Sequence, residues 1–327
     1  MIVLGIESTA HTFGVGIVND KKEILANVRK LFTTKKGGLI PVKVAEHHID
    51  NCDLILNDAL KQAKLKIKDI DVISFSIAPG LGHTLRIGSI VARTLALKHN
   101  KPLVGVNHAI AHLEIGRMLS KFSDPILLYS SGANTQVIAY EGDKYRVFGE
   151  TLDIGIGNFI DSFARFVGLG FPGGPKIEEL ALKGTKYIEL PYTVKGMDVS
   201  FGGLLTNLKN KFKSNKYKLE DLCYSIQETI FAMMTEVTER ALAHCDKKEL
   251  VLGGGVACNK RLQEMCQIMC TERDAKFYVP DNEFLVDNGA MIAWLGYLMY
   301  NAGNIIDIKN SQIRPYERTD DIVVNWR

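Results

Sequence analysis

Two histidines one helical turn apart are the first residues to suggest chemistry. His108-Ala109-Ile110-Ala111-His112 sets both imidazoles at i and i+4, on one face of a helix. The stripe runs on through Ile115, Leu119 and Phe122, so both rings should face inward. Such a pair can hold a metal when further ligands arrive from elsewhere, and it serves as readily as two hydrogen-bonded, half-buried histidines. Asp287 is a third candidate. It stands just before the last helical run, where its other role would be an N-cap for the amides near Ala290. Ser130-Ser131-Gly132-Ala133-Asn134 is a tight loop whose N–H groups and small side chains can approach a phosphate. Gly253-Gly254-Gly255-Val256-Ala257-Cys258-Asn259 leads from a strand into a helix, and Asn259 offers a donor and an acceptor to a base or ribose edge, unless the glycines serve packing alone. Phe171-Pro172-Gly173-Gly174-Pro175 feeds a helix in which Glu178 lies one turn in, where a carboxylate also complements the helix dipole.

The elements that must position these groups come in two similar sets. Apolar runs at 2–7, 13–18 and 23–32 read as strands, with the polar loop Ser8-Thr9-Ala10-His11-Thr12 between the first two. A helical pattern over 42–65, a strand at 72–77, the turn Pro79-Gly80-Leu81-Gly82, a helix over 85–99, a strand at 103–106 and the helix from His108 complete the first half. Around Pro125 the grammar restarts: strand 126–129, polar loop, strands 136–140 and 145–152, then helices near 157–167 and 175–182. A less regular stretch covers 186–218. The chain closes with a long helix over 219–244, a strand at 250–252, a helix to Met269, a strand at 277–279 and a helix after Asp287. Strand, polar loop, strand, strand, helix, read twice, predicts a duplicated α/β architecture, with lobes at 1–123 and 124–327 and an inserted segment around 186–218. Ligands in such folds sit where loops of both halves converge.

Bulk properties narrow the class. With 327 residues, 46% hydrophobic and 24% charged, the chain has the size of about two soluble globular domains. The net charge of +3 is too mild to diagnose a nucleic-acid partner. Met1–Glu7 lacks a basic leader, and the longest uncharged apolar stretch, 289–300, is far short of the roughly 20 residues that span a bilayer. A cytoplasmic protein without membrane contact is expected. Cys52, Cys223, Cys245, Cys258, Cys266 and Cys270 form no C-x-x-C pair and are expected as reduced, buried thiols. No G-x-x-x-x-G-K-[ST] loop occurs, and neither Gly253-Gly254-Gly255 nor Gly155-Ile156-Gly157 continues into G-x-G-x-x-G.

The two-lobed pattern resembles the actin, Hsp70 and sugar-kinase superfamily, whose lobes clamp a nucleotide in the cleft between them. Within it, a whole set of motifs occurs in order: Gly5-Ile6-Glu7-Ser8-Thr9-Ala10-His11-Thr12, Glu46-His47-His48, Pro79-Gly80-Leu81-Gly82, His108 with His112, Ser131-Gly132 with Asn134-Thr135, Phe171-Pro172-Gly173-Gly174-Pro175, Gly254-Gly255-Val256-Ala257-Cys258-Asn259 and Asp287-Asn288-Gly289-Ala290-Met291. From Met1 to about Ile313 the chain resembles the tRNA threonylcarbamoyltransferase family in its archaeal and eukaryotic Kae branch. Proteins of this kind were once read as glycoproteases.

The resemblance implies transfer of a threonylcarbamoyl group from threonylcarbamoyl-AMP to the exocyclic amine of the adenosine 3′ of the anticodon in ANN-decoding tRNAs, with release of AMP. It implies one divalent metal, iron or zinc, on His108, His112 and Asp287, completed by Tyr129. Tyr129, Ser130, Ser131, Gly132 and Ala133 would line the phosphate and acyl parts; Asp161, Gly174, Glu178 and Asn259 would hold ribose and adenine, where ATP or AMP also binds. It implies partners as well: tRNA, a separate small kinase-like ATPase, accessory subunits of a KEOPS-type complex, and an upstream threonylcarbamoyl-AMP synthase. Lys209, Lys211, Lys213, Lys216 and Lys218, with Phe212 and Tyr217 interleaved, follow a stretch the family places near the cleft, and are the candidate tRNA contacts; the same run also suits a solvated loop. Ala133 replaces a usual glycine, Gly202 a usual serine and Val286 a usual cysteine or threonine. A methyl at Ala133 narrows the phosphate loop unless its φ is negative. No residue type identifies a general base. Two other classes stay open, an ATP-dependent small-molecule kinase of the same superfamily and a non-enzymatic nucleotide-binding subunit. A metalloprotease would need the H-E-x-x-H that is missing.

Overall fold

A computed structural model describes residues 1–34 and 39–327. The first half is built from β1 (Ile2–Glu7), β2 (Thr12–Asn19), β3 (Ile24–Leu31), α1 (Pro41–Ala63), β4 (Val72–Ala78), α2 (Gly82–His99), β5 (Leu103–Asn107) and α3 (His108–Ser120). The second half follows with β6 (Ile126–Ser130), β7 (Thr135–Glu141), β8 (Lys144–Glu150), α4 (Ile156–Phe166) and α5 (Gly174–Ala181). The stretch read as irregular holds a short hairpin, β9 (Val194–Lys195) and β10 (Asp198–Val199), and a helix, α6 (Gly202–Lys213). Its lysines at i, i+2 and i+4 do not outline an apolar face in the sequence, but Leu204 and Leu208 are buried one turn apart and dock the helix. Then come α7 (Leu219–His244), β11 (Glu249–Gly253), α8 (Lys260–Glu272), β12 (Lys276–Tyr278), the short α9 (Asn282–Leu285) and α10 (Gly289–Asn301).

The duplication holds at the level of topology. One five-stranded sheet has the order β3-β2-β1-β4-β5 and the other β12-β11-β6-β7-β8, the same pattern when each half is counted from its own first strand. In both, three antiparallel hairpin strands are followed by two parallel ones. This is the actin/Hsp70-type α/β architecture.

Helices α3 and α10 lie between the sheets. A single apolar cluster joins Val3, Val72 and Val104 of the first sheet, Leu127, Ile138 and Val251 of the second, and Ile110, Leu113, Ile292 and Leu295 of the two helices. Residues 108–116 and 289–296 are buried all round, as helices sealed inside a core must be. Although it comes from the second half, α10 packs on β1 and β2 at backbone contact. A Cβ on Gly289 would stand 2.0 Å from the amide nitrogen of Gly16, so only glycine admits the helix this close. That approach fixes where Asp287, two residues before the helix, must point. All six cysteines are free thiols; Cys223, Cys266 and Cys270 are buried, while Cys52, Cys245 and Cys258 are half-buried.

Candidate functional site

α3 begins at the carboxyl end of β5, where Asn107 accepts the amides of Ala109 at 3.0 Å and Ile110 at 3.4 Å. A cap of this kind is worth about 1 kcal/mol, and here it fixes the first turn that bears His108. His108 and His112 face each other at 4.8 Å between ring centroids. Asp287 does not cap α10; that role falls to Asn288, whose side chain accepts from the Met291 amide. The Asp287 carboxylate instead turns to the histidines, with Oδ1 3.3 Å from His108 Nε2 and 3.6 Å from His112 Nε2.

Those separations suit a cation better than a hydrogen-bonded cluster. Ligand atoms held about 2.1 Å from a common tetrahedral centre stand about 3.4 Å apart. Both His112 nitrogens are buried without a hydrogen-bond partner among the described residues, and 3.6 Å is too long for one. Leaving such a group unmatched costs about 1–3 kcal/mol, which a bound metal would offset. The three donors lie within 4.8 Å of one another, two imidazoles and a carboxylate, a set that fits zinc or iron. Tyr129, the last buried aromatic of β6, stacks tilted on His112 at 5.0 Å.

Behind the cluster stands Glu7, a member of the first motif whose role no local pattern reveals. It is fully buried, accepts from His108 Nδ1 at 2.8 Å, and is itself held by the Thr9 amide at 2.6 Å and hydroxyl at 2.5 Å. A carboxylate closing an apolar strand was the available signal, since a buried charge needs a partner. This carboxylate–imidazole bond fixes the tautomer and aims Nε2 into the site. The electrostatics follow from the geometry. Burial works against charging His108, but Glu7 and Asp287 outweigh it and raise its pKa well above 6.5. At His112 burial outweighs the support from Asp287 and Glu7 and lowers the pKa. Burial also opposes the Asp287 charge, yet the His108 contact holds its carboxyl well below the usual range. Burial pushes the Tyr129 phenol up.

The loop after β6 adjoins this cluster. The Ser131 amide and hydroxyl both bond the Asn134 carbonyl, closing a tight turn, and the amides of Gly132 and Ala133 have no partner among the described residues. Ala133 is absent from the residues of positive φ, so its methyl is accommodated without strain. Facing the loop, Gly254 has φ +89°, and a Cβ there would lie 2.4 Å from the Ser130 carbonyl oxygen. Gly202 is also explained: a Cβ would come 2.8 Å from Asp153 Oδ2, which accepts the Gly202 amide and the Ser200 hydroxyl. Nothing in the structure explains Val286.

The expected ribose and adenine residues divide. Glu178 and Asn259 meet at the start of α8: Glu178 accepts the Lys260 amide at 2.8 Å, while Asn259 caps the helix through the Arg261 amide at 2.9 Å. The remaining Asn259 donor bonds Gln227 at 2.6 Å, so its polar atoms have protein partners. A groove of about 640 Å³, lined among others by Glu178, Tyr224, Gln227 and Lys260, opens beside them. Asp161 accepts the Gly173 amide at 2.7 Å, tying α4 to the turn that contains Gly174.

The lysine cluster lies apart from both. Lys209 and Lys213 bracket the Phe166 ring at 5.5 and 5.7 Å, and Lys211 lies over Tyr217 at 5.1 Å. Phe166 ends α4, whose first turn touches the Ser131–Gly132 loop, so the cluster stands roughly 15 Å along that helix at 1.5 Å per residue. None of the five lysines is ion-paired among the described residues, nor do Lys216 and Lys218 join the cation–aromatic contacts.

Comparison with known proteins gives a consistent picture. The family profile described as tRNA N6-adenosine threonylcarbamoyltransferase matches residues 23–294. The chain is 58% identical over 326 residues to a protein of that name from Thermococcus sibiricus, covering 100% of both. It is 52% identical to a probable bifunctional tRNA threonylcarbamoyladenosine biosynthesis protein of Methanocaldococcus jannaschii, covering 100% of this chain and 60% of that one. Among solved structures, component A of the Acidaminococcus fermentans (R)-2-hydroxyglutaryl-CoA dehydratase superposes with a TM-score of 0.57 at 16% identity, covering 91% of this chain and 98% of that one, a likeness of fold.

Proposed function

The chain belongs to the tRNA N6-adenosine threonylcarbamoyltransferase family and is a transferase acting on tRNA; from that premise we propose that it moves a threonylcarbamoyl group from threonylcarbamoyl-AMP to the exocyclic amine of the adenosine 3′ of the anticodon. The amine nitrogen bonds to the carbamoyl carbon, the bond from that carbon to the phosphate oxygen breaks, the amine loses a proton to solvent, and AMP leaves. One observation supports this reading above the rest: the two histidines of α3 and Asp287 converge beside a loop with unpartnered amides. Those amides, on Gly132 and Ala133, can receive the negative charge that grows on the departing phosphate. His108, His112 and Asp287 would hold one divalent metal, with Tyr129 beside them. Bound there, iron or zinc would supply a positive charge that polarises and orients substrate oxygens. Glu7 keeps His108 oriented, and the sealed core between the sheets keeps water from the ligand side chains.

The deciding measurement is AMP release in a reaction reconstituted with tRNA, threonylcarbamoyl-AMP and the accessory subunits. Release that requires both substrates is expected. Phosphorylation of a small molecule from ATP instead would mark the chain as a kinase, and no turnover with any combination would mark a binding subunit. The partners proposed are a separate small kinase-like ATPase and further subunits of a KEOPS-type complex, with a synthase supplying the adenylate. Support for docked subunits comes from α1 and α2, which leave Val42, Ile49, Ile90 and Leu97 more than half exposed. No helix among the described residues is long and apolar enough to cross a membrane.

For adenine and ribose we retain Asp161, Gly174, Glu178 and Asn259, with the groove beside Glu178 and Gln227 as the space available. Because Asn259 also caps α8, two substitutions separate its roles. Asn259→Ala is expected to lower stability by about 1 kcal/mol and nucleotide affinity by about 1–2 kcal/mol. Asn259→Asp keeps the capping oxygen and drops the donor, so it should spare stability and still weaken binding. Calorimetry giving unchanged AMP affinity for both would remove Asn259 from the nucleotide site.

A further inference from the structure

After α10 the chain runs back over the molecule as a strap. The Ile306 amide bonds the Leu103 carbonyl at 2.9 Å and the Arg314 amide bonds that of Ile77 at 2.9 Å, tying the strap to the first sheet. Farther on, Arg318 reaches Glu150 of β8 at 3.0 Å, and the Arg327 guanidinium lies 4.4 Å from the Tyr140 ring centre, on the second sheet. Beneath the strap is a cavity of about 240 Å³, far more than the roughly 10–15 Å³ that holds one water.

Its walls combine the apolar side chains of Ile77, Ile110, Leu295, Met299, Ile306 and Trp326 with a comparable share of polar surface. Two polar atoms on its lining residues are buried and unmatched among the described residues. Asn107 is 3% exposed; its oxygen caps α3, but its Nδ2 donor has no partner. Glu317 gives one oxygen to Arg314 at 2.8 Å, and its other oxygen is buried with no donor. The charged lining residues are Arg314, Glu317 and Asp321, which leaves a surplus of negative charge. An occupant that satisfies this lining needs a cationic donor, an acceptor and a compact apolar body.

We propose that the cavity is a binding site for a small aliphatic amino acid, its ammonium donating to Glu317 and its carboxylate accepting from Asn107. The site is separate from the cleft with the histidines and does not rest on the transfer reading. It does touch that cleft indirectly: Asn107 caps the helix of His108 and His112, so the occupant would brace the same first turn.

Calorimetry on the full chain tests this with leucine, isoleucine or valine, and with isobutylamine and isovalerate as the half-molecules. Saturable binding of an amino acid is expected, with either half-molecule at least about tenfold weaker. Glu317→Gln removes the charge, and Asn107→Asp removes the donor while keeping the cap; each should weaken binding about tenfold or more, whereas Tyr316→Ala, at an exposed site on the strap, should not. No saturable binding to the parent chain would overturn the proposal. So would binding that survives both substitutions, equal binding of the half-molecules, or a crystal soaked in the amino acid showing only water in the cavity.

Discussion

Replacing His112 by alanine should leave the purified protein with almost no bound metal and no tRNA-dependent AMP release, while the fold survives. The stability side follows from the burial of this residue. Its ring is sealed in the core, but neither nitrogen has a partner among the described residues, so truncation removes an unmatched polar group along with its packing. The two effects oppose one another, and the thermal midpoint should move little. The metal side follows from ligand number, because His108 and Asp287 alone are too few to hold a divalent ion tightly. Elemental analysis showing full occupancy in the variant would sink the assignment. Glu7→Gln makes a sharper companion. It preserves a hydrogen-bond acceptor for His108 Nδ1 but removes the charge, and changes to a group that orients a metal-ligating histidine typically cost about 10–100-fold in metal affinity. Unchanged metal affinity with reduced activity would assign Glu7 a role on substrate instead.

The second large effect is expected on tRNA. Lys211→Glu, Lys213→Glu and Lys216→Glu together should weaken tRNA binding and flatten its salt dependence by about two to three units, at roughly 0.7–0.9 per lost phosphate contact. The structure sharpens the reason. These lysines have no acidic partners among the described residues, and Lys211 and Lys213 lie over the exposed rings of Tyr217 and Phe166. At roughly 15 Å along α4 from the Ser131–Gly132 loop, they suit the tRNA backbone rather than the reacting adenosine. AMP affinity should stay constant. An unchanged salt slope in filter binding would make this ridge a solvated face and move the tRNA path to another surface or a partner subunit.

Much of the molecule was legible without coordinates, because its signals are local. Alternating and continuous apolar runs mark β1, β4, β6 and β11 to within a residue or two, and the repeated strand–loop–strand grammar anticipates two sheets of identical order. The histidine pair declares its shared face by spacing alone. By contrast, α6 was hidden, since its sequence is dominated by lysine and asparagine and only Leu204 and Leu208 are buried against the core. Propensity reads such a segment as a loop; tertiary docking makes it a helix.

The family, the doubled α/β architecture and the residue types of the candidate site can be read from the order of residues along the chain. The use made of Asp287 cannot, because it depends on packing between distant elements. Asn288 takes the cap, and the glycine-to-backbone contact between α10 and β2 swings the preceding carboxylate onto histidines far earlier in the chain. Packing also decided that Glu7 belongs to the site, since a strand-end carboxylate acquires a role only when another element brings a ring within 2.8 Å. Spacing rules describe neighbours within one element, whereas each of these pairings joins elements whose separation is fixed by packing. The strap cavity shows the same division, because no local pattern relates Asn107 to Glu317 before the chain folds back over α10.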